Sequence, residues 1–367
     1  MKETFAYNFY KTTTEAWDAM YQALLGAEKL IYWEVYILRD DEVGRKFIDL
    51  LIKKSQEGLD VKIVVDSVGS FKLSRTAEKD LKNAGVGFVW YNRLYPEWRL
   101  GNWVRRIWIR NHRKVLIIDE KIAFLGGVNV EKTCALWDDV HIKLAGNIVR
   151  PLLRWFAKSY VRCGGDKDEV RKYFHPHLAR GLEVIRENVK FLVHSPGFSL
   201  KKSFARRLYL RSLMLAQKSF TLLTPYYVPD TKFLEYVSLA SARGVEVNIL
   251  IPQTPDHLTL KYLAQAFYRL TQKAGANLYL LPKMNHGKAL CVDNSFGLVG
   301  SVNLTPRGFL SNEESGVYFT DKKMIADLGA ILRNWKNEGR LFNQNFREIN
   351  WYQKFFGWVI CWFKKYF

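Results

Sequence analysis

At 367 residues the chain can fill two cores of ordinary domain size, and 56 Lys and Arg against 36 Asp and Glu leave a formal charge of +20 that points to anionic partners, whether nucleic acid or acidic lipid. Its four cysteines, Cys134, Cys163, Cys291 and Cys361, form no CxxC pair, which argues against a zinc knuckle or a disulfide framework and fits a reducing compartment. No run of about 18 apolar residues occurs, and the opening MKETFAYNFYKTTTEAWDAM lacks the apolar core of a signal peptide, so neither a spanning helix nor export is expected.

In chain order, apolar groups at helical spacing predict a helix over 15–27, then a strand in KLIYWEVYI and a helix from Val43 to Lys54 that ends at Gly58. DVKIVVD reads as the next strand, 74–83 as a helix stopped by Gly85, and VGFVWY as a further strand. KVLIID and KIAFLGG are two short strands joined by a tight acidic turn. A connection over 150–200 shows no clear periodicity. The same order then returns: helix 203–217, strand SFTLLTPYY, helix 231–242, strand VEVNILI, helix 257–273, strand NLYLLP, and the short strands ALCVD and GLVGS. Two like units follow, each a sheet with helices against it. The first is expected over 1–185 and the second over 186–345, with 346–367 as an aromatic and basic C-terminal segment.

The two units also repeat a chemical pattern in register. NHRKVLIIDEKIAFLGGVNV carries His112, Lys114, Asp119, Gly126 and Asn129, and NHGKALCVDNSFGLVGSVNL carries His286, Lys288, Asp293, Gly300 and Asn303, at offsets of 2, 7, 14 and 17 from the histidine in both. A satisfied core histidine and a surface lysine explain either copy alone, but explain the double match poorly. His and Lys two apart on a strand share a face and can address one anion. Asn129 and Asn303 follow Gly-containing turns, where side-chain amides can reach phosphate oxygens.

Downstream, Asp139 and Glu314 lie 27 and 28 residues after His112 and His286, each placed to accept a ring N–H from the histidine of its own unit; Asp138 and Glu313 are the adjacent alternatives. Asp119 and Asp293 sit near turns and are expected to pair with backbone or a basic neighbour. The remaining histidines, at 141, 175, 177, 194 and 257, form no recognisable ligand cluster, so no metal is expected.

For the substrate, Trp98, Trp103 and Trp108 alternate with Arg99, Arg105, Arg106 and Arg110, which suits a nucleic-acid groove and a lipid-headgroup contact equally well. WYQKFFGWVICWFKKYF at 351–367, with Lys354, Lys364 and Lys365, tips the balance toward a segment lying on anionic lipid, with a terminal helix packed on the protein as the alternative.

The two HxKxxxxD elements resemble the paired signatures of the phospholipase D superfamily. YWEVYI, FLGGVNV, WDDVHIKLAG, TPYYVPD, ARGVEVNILIP and VGSVNLTPRGFLSNEE resemble its bacterial cardiolipin synthase branch, over roughly 15–335 and in a short form without N-terminal transmembrane helices. One departure is that Leu304 is followed by Thr305 where those synthases commonly have Asp.

The resemblance implies an α/β fold of two similar α-β-α sandwich units with mainly mixed sheets and one active site at their interface. It implies a catalytic set of His112, Lys114, Asp119, His286, Lys288 and Asp293, with no cofactor. His112 attacks phosphorus to give a phosphohistidine and His286 does the acid–base work. The implied reaction moves a phosphatidyl group from one phosphatidylglycerol to another, giving cardiolipin and glycerol, with phosphatidylethanolamine as another donor. The implied setting is the anionic phospholipid membrane, bound peripherally on the cytoplasmic side of a bacterial cell, and both motifs in one chain fit a monomer. Hydrolysis by a phospholipase D or a nuclease, and noncatalytic binding to anionic membranes, are the alternatives; nucleic acid is the weaker partner.

Overall fold

A computed structural model describes residues 5–93, 107–176, 181–197 and 199–343. The segment at 346–367, His177 and most of the Trp/Arg stretch (Trp98, Arg99, Trp103, Arg105 and Arg106) lie outside the described residues.

The first half supplies β1 (Ala6–Thr12), β2 (Leu30–Val35), β3 (Asp60–Asp66), β4 (Gly87–Tyr91), β5 (Arg110–Asn111), β6 (Val115–Ile118), β7 (Ile122–Gly126) and β8 (Asp138–Ala145). All but β5 join one sheet in the order β1-β8-β7-β6-β2-β3-β4. Strands β2, β3 and β4 are parallel and the other pairs antiparallel.

The second half supplies β9 (Gly181–Arg186), β10 (Val189–His194), β11 (Ser219–Leu223), β12 (Glu246–Pro252), β13 (Asn277–Leu281), β14 (Ala289–Val292), β15 (Phe296–Gly300), β16 (Asn312–Phe319) and β17 (Arg340–Leu341). Their order is β9-β10-β16-β15-β14-β11-β12-β13-β17, again with three parallel strands, β11 to β13. Without β9 and β17, the second order repeats the first strand for strand. β9 already belongs to the second sheet and begins upstream of the boundary expected at 185.

Burial explains the layering. The apolar stripes of helices Thr13–Leu25, Glu42–Gln56 and Arg75–Asn83 pack on the outer face of the first sheet. Helices Phe204–Leu215, Thr231–Ala242 and Leu258–Lys273 do the same for the second. The inner faces of the two sheets meet in a shared core with helices Arg150–Arg162 and Lys322–Glu338, which joins side chains such as Tyr32, Ile142, Phe191 and Val317. Each fully buried Val, Leu, Ile or Phe stabilises the fold by about 1.5–3 kcal/mol relative to exposure. This central layer therefore binds the halves into one body.

Strand β1, the helix Arg150–Arg162 and the β9–β10 hairpin were not expected from periodicity. β1 is an edge strand with no fully buried residue, so its apolar alternation is blurred.

Candidate active site

Two crossings bring the repeated motifs together. β5, just before His112, leaves its own sheet and pairs in parallel with the start of β16, and the His112 N–H donates to the Glu313 carbonyl at 2.9 Å. In the matching place, Asn285 bridges in parallel to Asp138, and the His286 N–H donates to the Asp138 carbonyl at 2.7 Å. Each histidine is thus docked by backbone onto the other unit.

The carboxylates follow the crossing. His112 Nδ1 lies 2.9 Å from Glu314 Oε2, and His286 Nδ1 lies 3.2 Å from Asp139 Oδ2. This corrects the expected pairing of each histidine with the carboxylate of its own unit. A strand start that accepts the histidine's backbone presents its next side chain to that histidine's ring, and the strand belongs to the opposite unit. Glu314 also takes hydrogen bonds from Asn312 Nδ2 at 3.0 Å and from the Ser301 hydroxyl. Asp139 takes the Val140 N–H at 2.7 Å. Gly127 is required there, because a Cβ on it would stand 2.3 Å from Asp139 Oδ1.

The lysines are buried beside their histidines. Lys114 Nζ donates to the His112 carbonyl at 2.9 Å, and Lys288 Nζ donates to that of His286. Both lie in the extended segments just ahead of β6 and β14 rather than within a strand.

His112, His286, Asn129 and Asn303 all line one cleft of about 500 Å³. The Oδ1 atoms of Asn129 and Asn303 are buried without a protein partner, so each can accept from a substrate hydroxyl, and with the amide turned over its NH2 group donates to a phosphoryl oxygen. Asp119 and Asp293 stand apart from the cleft and clamp backbone. Asp119 accepts the N–H groups of Glu28, Lys29 and Leu30 at 2.7–3.0 Å, and Asp293 those of Gln217, Lys218 and Ser219 at 2.6–2.7 Å. Both sit in hairpin turns with positive φ, followed by a second positive-φ residue, Glu120 or Asn294. Their contacts are structural, and they fix where β2 and β11 begin.

Electrostatics separate the two histidines. Burial, then the charges of Lys114 and Lys288, hold His112 well below its usual value of 6.5. Burial and Lys288 also lower His286, but Asp139 opposes them. Burial would raise Asp139, yet the hydrogen bond with His286 and nearby positive charge keep it below the ordinary carboxylate value. Burial pushes Glu314 up to about 8. It also lowers Lys114 to about 7 and Lys288 to about 8, Lys114 with the repulsion of Lys288 added.

Several cleft residues carry no repeat signal and were missed from sequence. The Tyr36 ring meets His112 edge-on at 4.7 Å, and Trp137 and Tyr226 lie 5.6 and 6.1 Å from the His286 ring. Arg307, Glu131 and Asp256 also line the cleft. Tyr36, Tyr226 and Trp137 fall inside YWEVYI, TPYYVPD and WDDVHIKLAG, which was their only signal. Thr305 caps the helix Pro306–Leu310, accepting the Gly308 N–H at 3.1 Å, a task an Asp side chain performs equally well. Among the described residues, no group of three or more His, Cys, Asp or Glu side chains could hold a metal ion.

Two mixed sheets whose repeated histidines face one cleft, each with its lysine buried beside it, define a phospholipase D-like fold. The chain belongs to the family described as cardiolipin synthase, PLD-like domain, which matches residues 20–157 and 209–335. It is 33% identical over 332 residues to the cardiolipin synthase of Clostridium perfringens (strain 13 / Type A), covering 85% of this chain and 66% of that protein. It is 31% identical over 330 residues to the cardiolipin synthase of Geobacillus sp. (strain WCH70), covering 85% and 63%. The chain thus spans just under two thirds of the length of these curated relatives. Among solved structures, the fold is shared with phosphatidylserine synthase of Haemophilus influenzae Rd KW20, at a TM-score of 0.75 and 15% identity, over 97% of this chain and 92% of that one.

Proposed function

We propose that the chain is a cardiolipin synthase-type phosphatidyltransferase that moves a phosphatidyl group from one phosphatidylglycerol to the terminal hydroxyl of another through a phosphohistidine. The observation that carries this reading is the crossed pair His112–Glu314 and His286–Asp139 facing one cleft with both lysines buried beside it. The cardiolipin synthases among its relatives supply the substrate class.

The chemistry follows from the charges. A phosphodiester repels an oxygen nucleophile, so Lys114, Lys288, Asn129 and Asn303 hold the phosphoryl oxygens as charge redistributes in the transition state. His112, kept neutral, attacks phosphorus through Nε2 in the fraction of molecules in which Glu314, pushed up to about 8, is ionised and takes the Nδ1 proton's hydrogen bond. His286, whose protonated form the ionised Asp139 favours, donates to the departing glycerol oxygen and then takes the proton of the incoming alcohol. Asp119 and Asp293 act through the backbone they clamp.

We assign the two units expected at 1–185 and 186–345 to the two sheets, with the boundary moved ahead of β9 at Gly181 and 346–367 as a membrane-interfacial segment. The enzyme works as a peripheral protein on an anionic phospholipid membrane, facing the cytoplasm. The free thiols of Cys134, Cys163 and Cys291 support a reducing side. Among the described residues, no helix is long and apolar enough to cross a membrane.

The test is mass spectrometry of lipid products from isotopically labelled phosphatidylglycerol vesicles, with His112→Ala in parallel. Cardiolipin plus glycerol, lost in the variant, is the expected result. Phosphatidic acid plus glycerol would make the protein a hydrolase, and lipid-independent cleavage of DNA would make it a nuclease.

A further inference from the structure

The cleft holds three groups that this chemistry leaves unused. Tyr226, just beyond β11, donates its hydroxyl to Asp256 Oδ1 at 2.7 Å, and Asp256 Oδ2 lies 3.5 Å from His257 Nε2. The Tyr226 ring stands 6.1 Å from the His286 ring and 6.0 Å from that of His257. All three line the same cleft as the two histidines.

The charges around the cleft are unevenly shared. The positive charge of Arg307 is felt at His112, whereas the negative charge of Asp256 is felt at His286 and Lys288. A carboxylate is a poor neighbour for a phosphodiester anion and a good acceptor for alcohol hydroxyls. Burial, together with Asp256, raises Tyr226 well above the usual phenol value, so its hydroxyl stays a donor and keeps the carboxylate aimed. The Asp256 side chain is 22% exposed, which leaves part of the carboxylate open to a ligand.

We propose that Asp256, oriented by Tyr226 and flanked by His257, is a polyol subsite that binds the hydroxyl adjacent to the one reacting at His286. This deepens the phosphatidyltransferase reading and rests on it. In the first step the His112 Nε2–P bond forms, the P–O bond to the departing glycerol breaks, and the His286 proton goes to that oxygen. In the second, the acceptor O–P bond forms, the N–P bond breaks, and the acceptor proton returns to His286. Both alcohols are glycerol groups, so one subsite beside His286 serves both steps. Water offers no second hydroxyl to Asp256 and gains nothing from it.

The test uses vesicles containing phosphatidyl-p-nitrophenol, whose leaving group is not a polyol, with equimolar glycerol and 1-propanol as competing acceptors. The ratio of phosphatidylglycerol to phosphatidylpropanol counts only turnovers from a common phosphohistidine, so inactive or misfolded molecules do not alter it. Wild type is expected to favour glycerol, Asp256→Ala to lower that preference about tenfold or more, and Asp256→Asn, which keeps the shape and the Tyr226 contact, to lower it by less. An unchanged ratio in both variants, with transfer intact in wild type, overturns this subsite alone. Phosphatidic acid as the sole wild-type product overturns the transferase reading and the subsite with it.

Discussion

Around His112 the supporting residues are ionic, and at two of the three matching positions around His286 they are apolar or empty. Arg113, between His112 and Lys114, donates to Glu313 at 2.6 Å and lies 3.7 Å from Glu34, while Arg162 reaches Glu313 at 2.6 Å and the Ser195 hydroxyl reaches it at 2.8 Å. The corresponding residues of the other half are Gly287, Leu223 and Asp138, and Leu223 packs where the ions would be. Yet both histidines meet a carboxylate from the opposite half, because the backbone crossings place them and the surrounding ions do not. Geometry is duplicated and its support is not.

The largest effect comes from breaking the duplicated part. His112→Ala and His286→Ala are each expected to lower kcat by at least about 10³-fold. They differ with phosphatidyl-p-nitrophenol, whose leaving group needs no acid. His286→Ala should still accumulate a phosphohistidine detectable by intact-protein mass spectrometry, and His112→Ala should not. The reverse result would exchange their roles.

Replacing the orienting carboxylates comes next. Glu314→Gln and Asp139→Asn should each lower kcat by about 10²–10⁴-fold, measured on vesicles with vesicle binding as the control. The pH profile separates them. In the proposed mechanism ionised Glu314 assists attack, so kcat/KM should rise as pH climbs toward about 8; the lysines, lowered to about 7 and 8, lose charge over the same range, which gives a narrow bell. In Glu314→Gln the acidic limb due to this residue should vanish, and in Asp139→Asn it should stay.

The ionic shoulder sets the next magnitude, read as stability. Glu313→Ala removes the nearer of the two counter-ions of buried Arg113, leaving Glu34 at 3.7 Å, and should cost about 3 kcal/mol in urea unfolding. Asp138→Ala, at the matching half-buried position, should cost about 1 kcal/mol or less. Equal costs would erase the contrast. An effect between these two is expected at Gly287, where an added Cβ would stand 2.7 Å from Leu223 Cδ2 and 3.0 Å from Val140 Cγ1. Gly287→Ala should destabilise by about 1–3 kcal/mol, with less loss of activity than any substitution at the carboxylates.

Much of this was legible in the sequence because it is local or repeated. Parallel strands β2 to β4 and β11 to β13 announce themselves as apolar runs between amphipathic helices, and the His-Lys-Asp-Gly-Asn spacing is a covalent fact. The backbone role of Asp119 and Asp293 followed from their place in a turn, whereas the resemblance put both in the catalytic set and the structure keeps them out of the cleft. The partner exchange was not legible. It depends on a two-residue strand and a single bridge, Arg110–Asn111 against Asn312–Glu313 and Asp138 against Asn285, too short to leave any periodicity. Tyr226 and Asp256 were missed for a related reason, since they occur once and meet only through the fold.

The exchange of carboxylates also has a consequence in time. During synthesis His112 emerges 202 residues ahead of Glu314. At roughly 5–20 residues per second the ribosome keeps the two apart for about 10–40 s. A chain broken off in that interval carries a histidine without its partner, so the proposed mechanism has the protein silent until nearly all of the region matched by the family has left the ribosome.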